Sequence, residues 1–324
     1  MASAASTAAT RQIEPRRKER PVFGIDVRKI GGRIGAEVQG VDLSAPLGTA
    51  VIDEITAALL EHKALLFRGQ HLDDDTQLGF ASSFGELTSA HPTGVPSVDG
   101  QPHVLPVDGS DQRANHWHAD CTFIRTPPKA STLRTIVLPP YGGNTLIANA
   151  AAAYRDLPGE LRLLADQLWA VHTNDAGQPS LPGERAAQYR EIFLSRIYET
   201  AHPVVRVHPD SGERSLFLGD FAQTVVGLSA RESGAIIEIL QAYVTRPENI
   251  LRIHWSVGDV VLFDNRNTLH YGPDDYGDLP RRLHRVTVAG DVPVGIDGRS
   301  SYIIQGDDAP HYTPSPGGTG LLTG

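Results

Sequence analysis

The sequence predicts a mainly β protein with inserted helices, a jelly-roll barrel with helical decoration, and three observations predict it. Short strand-like runs recur along the chain, clusters of Gly, Pro, Asn and Asp punctuate them, and helical periodicity is confined to a few intervals between them. The 324 residues allow one large domain or two average ones, and 40% hydrophobic content is ordinary for a globular protein. A formal net charge of -9 argues against a nucleic-acid surface. The lone Cys121 rules out an intramolecular disulfide and points to a reducing, cytoplasmic compartment. No apolar run approaches the roughly 18 residues of a membrane span. A homo-oligomer is compatible with all of this.

The elements follow in order. Residues 1–20 are small and polar, then basic, and the Arg16-Arg17 pair lacks the apolar stretch that an export signal needs, so a disordered tail is expected. Folding should begin near Pro21, with a strand over 22–30 closed by Gly31-Gly32. Residues 51–62 carry Ile52, Ile55 and Leu59 at helical spacing, and 64–67 read as a buried strand. Asp73 to Thr76 offer N-cap chemistry for a helix ending at Phe84, before Gly85. The span from His91-Pro92 to Arg113 reads as surface loop. A strand at 131–138, a turn at 139–143 and a returning strand at 144–148 come next. Leu157-Pro158-Gly159-Glu160 opens a helix striped by Leu161, Leu164 and Leu168. The polar region 173–200, containing Asp175-Ala176-Gly177-Gln178-Pro179, reads as a mobile lid. Strands are expected at 202–208 and 215–218, then a helix behind a Ser229/Glu232 capping box with Ile236, Ile237, Leu240 and Tyr243 on its apolar face. Strands at 250–255, 259–263 and 283–289 finish the barrel. A disordered tail from Ala309 leaves 21–308 as one domain.

The chemistry centres on residues 115–123, Asn-His-Trp-His-Ala-Asp-Cys-Thr-Phe. On an extended strand His116, His118 and Asp120 would share one face and Trp117, Ala119 and Cys121 the other. With a distant histidine such as His270, His118 and Asp120 make the two-histidine, one-carboxylate set that suits non-haem Fe(II) and leaves metal positions open. Arg281 and Arg285, four apart, would also share a strand face, where guanidinium groups suit bidentate capture of a carboxylate or sulfate. The plain alternative for them is surface pairing with Asp274, Asp275 or Asp278. His116 is open between a partner of the ligands, a substrate contact and an ordinary polar residue.

Six ordered motifs resemble the taurine dioxygenase family: 117–123, Gly142-Gly143-Asn144-Thr145-Leu146, His202-Pro203-Val204-Val205-Arg206, Val226-Gly227-Leu228-Ser229, Asp264-Asn265-Arg266 with His270, and His284-Arg285-Val286-Thr287. The resemblance runs from about Phe23 to Val292. It implies a double-stranded β-helix (jelly-roll) core and an Fe(II)- and 2-oxoglutarate-dependent dioxygenase that uses O2. It further implies His118, Asp120 and His270 as iron ligands, and Thr145 with Arg281 as the hold on 2-oxoglutarate. Arg285 and His91 would bind the anionic group of a small organic substrate, beside the backbone of Cys121.

Where taurine-specific members carry a tyrosine and an asparagine against the amine, this sequence has Gly94 and Ala114, which argues against taurine. The runs 169–174 and 218–221 are closer to the alkylsulfatase branch, although Asp175-Ala176-Gly177 replaces the Arg-Tyr-Asp-Tyr common there. In that branch, oxidation at the carbon bearing the ester oxygen gives aldehyde and sulfate, with succinate and CO2 from 2-oxoglutarate. Two rivals stand beside this reading. One is a zinc hydrolase of the metallo-β-lactamase type, which would want a histidine where Cys121 stands. The other is a metal-binding jelly-roll protein without turnover.

Overall fold

The structure is a computed structural model that describes residues 24–177 and 181–312. The expected tail at 1–20, the first residues of the expected 22–30 strand, residues 178–180 of the expected lid, and everything beyond Tyr312 lie outside the described residues. Along the chain run β1 (Asp26–Lys29), β2 (Ala36–Gln39), α1 (Thr49–His62), β3 (Ala64–Phe67), α2 (Asp74–Ser82), β4 (Leu105–Asp108), β5 (Ala130–Val137) and β6 (Thr145–Asn149). Next come α3 (Ala150–Asp156), α4 (Gly159–Ala165), β7 (Trp169–Thr173), α5 (Glu184–Phe193), β8 (Glu199–Pro203), β9 (Val205–Val207), β10 (Arg214–Leu216) and β11 (Ala222–Val225). The last are α6 (Ala230–Val244), β12 (Ile250–Ile253), β13 (Val260–Asp264), β14 (Thr268–Tyr271), β15 (Arg282–Val288), β16 (Val294–Gly295) and β17 (Tyr302–Gln305).

The largest sheet runs β1-β2-β3-β13-β5-β15-β4, and a smaller one runs β12-β6-β14. Period-two alternation decides what each face does. Leu65 and Phe67 of β3, Val260 and Leu262 of β13, and Val286 and Val288 of β15 point outward and are covered by Ile55 and Leu59 of α1 and Phe80 of α2. The alternate residues Leu66, Val261, Phe263 and Leu283 point inward and meet Ile147 of β6 and Leu251 and Ile253 of β12. That inner layer is the jelly-roll core. Arg281 and Arg285 flank Leu283 at a spacing of two on each side, so the same alternation aims both arginines into the barrel. Behind the smaller sheet, Ala148 and Leu269 pack on Ala150, Ala153 and Tyr154 of α3 and on Leu240 and Val244 of α6.

Local signals hold where side chains supply them. Asp73 and Thr76 form a reciprocal capping box on α2, and Ser229 and Glu232 form another on α6. Four expectations need correction. The 139–143 turn does not fold β6 back on β5: β5 pairs with β13 and β15, whereas β6 pairs with β12 and β14, so the turn carries the chain from one sheet to the other. The expected loop from 91 to 113 contains β4, which pairs with β15. In α4 the inward residue is Ala165, and Leu164 is exposed. The tail expected from Ala309 begins folded, with Ala309 and Tyr312 buried.

Candidate active site

The stretch at 116–121 is not a strand. His118 makes a single antiparallel bridge to His270 on β14, with His118 N–H donating to His270 O at 3.0 Å and His270 N–H to His118 O at 2.7 Å. The chain then turns through Asp120, and Cys121 adopts a φ of 52°. One bridge suffices to bring residues 152 positions apart together, and their imidazole centroids lie 4.1 Å apart. Ligand atoms of His118, Asp120 and His270 all fall within 4.8 Å of one another, and all three residues are buried.

His118 and Asp120 are each held by hydrogen bonds, whereas His270 is placed by its backbone bridge to His118 and its Nδ1 has no hydrogen-bond partner among the described residues. His118 Nδ1 donates to His116 O at 2.9 Å, which leaves Nε2 with its lone pair. Ser131 Oγ donates to Asp120 Oδ2 at 2.6 Å. Asn265 accepts from Asp120 N–H at 2.7 Å and donates Nδ2 to Asp120 O at 3.1 Å and to Pro128 O at 3.0 Å. The Asp264 carboxylate braces the following turn against Arg266 and His208. Burial is the largest influence on the two histidines and lowers His118 to about 3 and His270 to about 4, so both are neutral at pH 7. Burial opposes ionisation of Asp120, but Arg285, His270, His118 and Ser131 outweigh it and hold the carboxyl at about 2. Two neutral imidazoles and one carboxylate are the protonation states a divalent cation requires.

Asp120 lines a chamber of about 70 Å³ together with His91, His118, Cys121, Phe221 and Arg285. Arg285 forms an ion pair with Asp120 Oδ1. His91 Nδ1 accepts from Thr93 N–H at 3.3 Å and lies 2.8 Å from Thr93 Oγ1. Burial lowers His91 to about 3, so its ring is neutral with the proton on Nε2. A guanidinium and a neutral N–H donor therefore border one small chamber. Arg281 is buried apart from Arg285: its Nε donates to Gly143 O at 2.7 Å and an Nη to Thr145 Oγ1 at 3.3 Å. Surface pairing of the two arginines with 274–278 is thereby excluded, and Asp274 pairs with Arg113 instead.

Outside the chamber, and sharing Asp111, Gln112, His116, Tyr189 and Phe193 with it, lies a vestibule of about 560 Å³. Helix α5, within the expected lid, supplies Tyr189 and Phe193, and Arg185 ties it to Asp111. His116 lines both spaces. Sequence reasoning missed Trp255, whose Nε1 donates to Thr145 Oγ1 at 3.0 Å. It also missed Ser131 and the lining residues Tyr189 and Phe193 of α5, none of which stands in a spacing that signals a site. Asn265 was visible in the Asp264-Asn265-Arg266 motif, without its role. Cys121 was expected to face away from Asp120, and the turn brings it to the chamber wall instead.

A profile of the "Taurine catabolism dioxygenase TauD, TfdA family" matches residues 26–287. The chain belongs to this family. Relatives include the alpha-ketoglutarate-dependent sulfate ester dioxygenase of Pseudomonas putida, 52% identical over 86% of this chain and 93% of its own length. The alkylsulfatase of Acinetobacter baylyi is 46% identical over 86% of this chain and 90% of its own length. A taurine dioxygenase from Burkholderia xenovorans superposes with a TM-score of 0.76 at 39% identity, covering 89% of this chain and 98% of that one. Family membership makes the chain a dioxygenase and removes both the zinc-hydrolase and the non-catalytic readings. No helix among the described residues is long and apolar enough to cross a membrane.

Proposed function

We propose that this protein is an Fe(II)- and 2-oxoglutarate-dependent dioxygenase that oxidises an alkyl sulfate ester at the carbon bearing the ester oxygen. The observation that carries the reading is that buried Arg285 and neutral His91 border the same small chamber as His118 and Asp120, two of the three clustered metal-ligand residues, so an anionic headgroup is drawn to within reach of that set. The two relatives acting on sulfate esters at 52% and 46% identity support the choice of anion.

In this reading His118, Asp120 and His270 hold the iron. Bound there, iron supplies the redox chemistry that couples decarboxylation of 2-oxoglutarate to oxidation of a substrate C–H. Arg281 and Thr145 take the distal carboxylate of 2-oxoglutarate by charge-assisted and neutral hydrogen bonds, with Trp255 fixing the threonine rotor. Arg285 and His91 hold the sulfate, and Phe123, Phe193 and Phe221 keep water from the chamber. The balance is ester, 2-oxoglutarate and O2 to α-hydroxy ester, succinate and CO2. The α-hydroxy ester then breaks its C–O bond to give aldehyde and hydrogensulfate.

The test is succinate release with Fe(II), 2-oxoglutarate and ascorbate over alkyl sulfates, alkanesulfonates and phenoxyacetates. Alkyl sulfates should give the highest kcat/KM, with aldehyde and sulfate formed one for one with succinate, and Asp120→Ala should abolish turnover. Preference for a sulfonate or a carboxylate would overturn the sulfate-ester reading. Persistent turnover by Asp120→Ala would overturn the ligand assignment.

A further inference from the structure

Four residues beyond the last regular strand, Ala309 to Tyr312, form a hook that returns to the active site. Three of the four, Ala309, His311 and Tyr312, have φ values of 39°, 54° and 58°, in the left-handed region that non-glycine residues occupy only where surrounding structure enforces it. The enforcing contacts are present. Ser89 N–H donates to His311 O at 2.9 Å, Tyr312 N–H to Ala309 O at 3.1 Å, and Ala309 N–H to Asp307 Oδ1 at 2.9 Å. The hook drives Tyr312 to 2% exposure in a cluster with Cys121, Phe123 and Phe221, three residues of the chamber wall.

Tyr312 Oη is buried without a well-formed hydrogen bond, and so is Nε of Arg285. Its hydroxyl faces the Cys121 thiol, and its electrostatic neighbours are Cys121, Arg285 and Asp120. The turn it backs is itself strained, since Cys121 has a φ of 52°. Two enforced segments thus meet in one buried cluster at the chamber wall, close enough to Arg285 to act on it electrostatically. The hook lies past residue 287, where the match to the family profile ends.

We propose that this C-terminal hook is a specificity-determining part of the anion pocket, with Tyr312 a positioning residue whose ring braces Cys121 and Arg285 so that the guanidinium is held for the substrate's charged group. The proposal rests on Arg285 as the anion-binding residue but not on the anion being a sulfate ester. Arg285 is a long side chain tied at its tip to Asp120 but with Nε unpartnered, and packing from behind restricts it without occupying the chamber. Among the described residues no hydrogen bond or ion pair joins the hook to Arg281 or Thr145, whose partners are Gly143, Trp255 and each other, so its effect should be confined to the primary substrate.

The experiment uses the full chain and whichever alkyl sulfate, sulfonate or phenoxyacetate the wild type turns over best. Tyr312→Ala should raise KM for that substrate at least tenfold and leave KM for 2-oxoglutarate within twofold. Tyr312→Phe, which keeps the ring, should restore the substrate KM to within twofold of wild type. Calorimetric titration of the substrate into the 2-oxoglutarate-loaded protein should show the same order of affinities. Should Tyr312→Ala fail to fold by circular dichroism, Tyr312→Leu decides by the same criteria. A substrate KM within twofold of wild type in the folded Ala or Leu variant would overturn the proposal. So would an equal rise in both KM values, which signals general structural loss. The best substrate proving to be a carboxylate would defeat the sulfate-ester reading while leaving this test intact.

Discussion

Arg281 and Arg285 project from the same side of one chain segment, yet their partners divide them. Arg281 is committed to Gly143 O and Thr145 Oγ1, the Trp255 side of the barrel, whereas Arg285 meets Asp120 in the chamber. Their roles should therefore separate by substitution. Replacing a planar fork by the point charge of lysine removes a charge-assisted contact on the order of 1.5 to 3 kcal/mol, roughly ten- to a hundredfold in affinity. Arg281→Lys should raise KM chiefly for 2-oxoglutarate, and Arg285→Lys chiefly for the primary substrate. Steady-state kinetics on both variants checks this, and an Arg285→Lys enzyme impaired only towards 2-oxoglutarate would reverse the assignment. Cys121 shows the opposite lesson at this scale. Its type and position suggested an outward thiol, but a positive φ turns it to the chamber, where burial pushes the thiol up to about 12 and keeps it protonated.

At the scale of elements, the 139–143 turn matters more than its length suggests, because it moves the chain between sheets and delivers Thr145 to Arg281. Gly143 sits at φ 62°, and a Cβ there would lie 3.0 Å from Arg281 Cδ and 3.0 Å from Pro139 Cγ. Gly143→Ala should therefore cost about 1–2 kcal/mol of stability from backbone strain and displace the Arg281 side chain. Urea unfolding would read the first effect and a several-fold rise in KM for 2-oxoglutarate the second; unchanged kinetics would show that Arg281 does not depend on this turn. The same turn marks the limit of legibility in the sequence. Residues 131–138 and 144–148 were readable as strands because alternation and turn residues are local, but which strand pairs with which is a long-range choice. The strand β4 was hidden for a related reason: Leu105-Pro-Val-Asp has one proline and little periodicity, and only β15 makes it a strand. The His118-x-Asp120 pair and the arginines at 281 and 285 stand out by their spacing, and Thr145 and the pairing with His270 come from the family resemblance, whereas Tyr312 and Trp255 are single aromatic residues with no spacing to read.

Among the described residues, His91, His118, His172, His202 and His270 are buried and kept neutral by that burial, and this gives the molecule's stability a pH dependence of predictable sign. His172 is the cleanest case: it lies outside the chamber, fully buried against His202 and Phe217, with Nδ1 2.9 Å from Thr122 Oγ1. Burial lowers it from the ordinary 6.5 to about 3. Below pH 6.5 the unfolded chain binds a proton that the folded one refuses, so the contribution is fully present above 6.5 and is lost as the pH falls towards about 3. One such group makes the protein about 1 kcal/mol less stable at pH 5.5 than at pH 7.5. The chamber histidines shift in the same direction, and a bound metal would mask them, so the comparison belongs in metal-free protein and between variants. His172→Gln removes this titration and leaves the chamber histidines in place, while His202, packed against it and kept low first by burial, loses one secondary influence. Urea unfolding at the two pH values should show the wild type losing about 1 kcal/mol more than His172→Gln over the interval. Equal losses in the two proteins would mean that His172 takes up its proton in the folded state as readily as in the unfolded one, and that its burial is not what sets the acid limit of this fold.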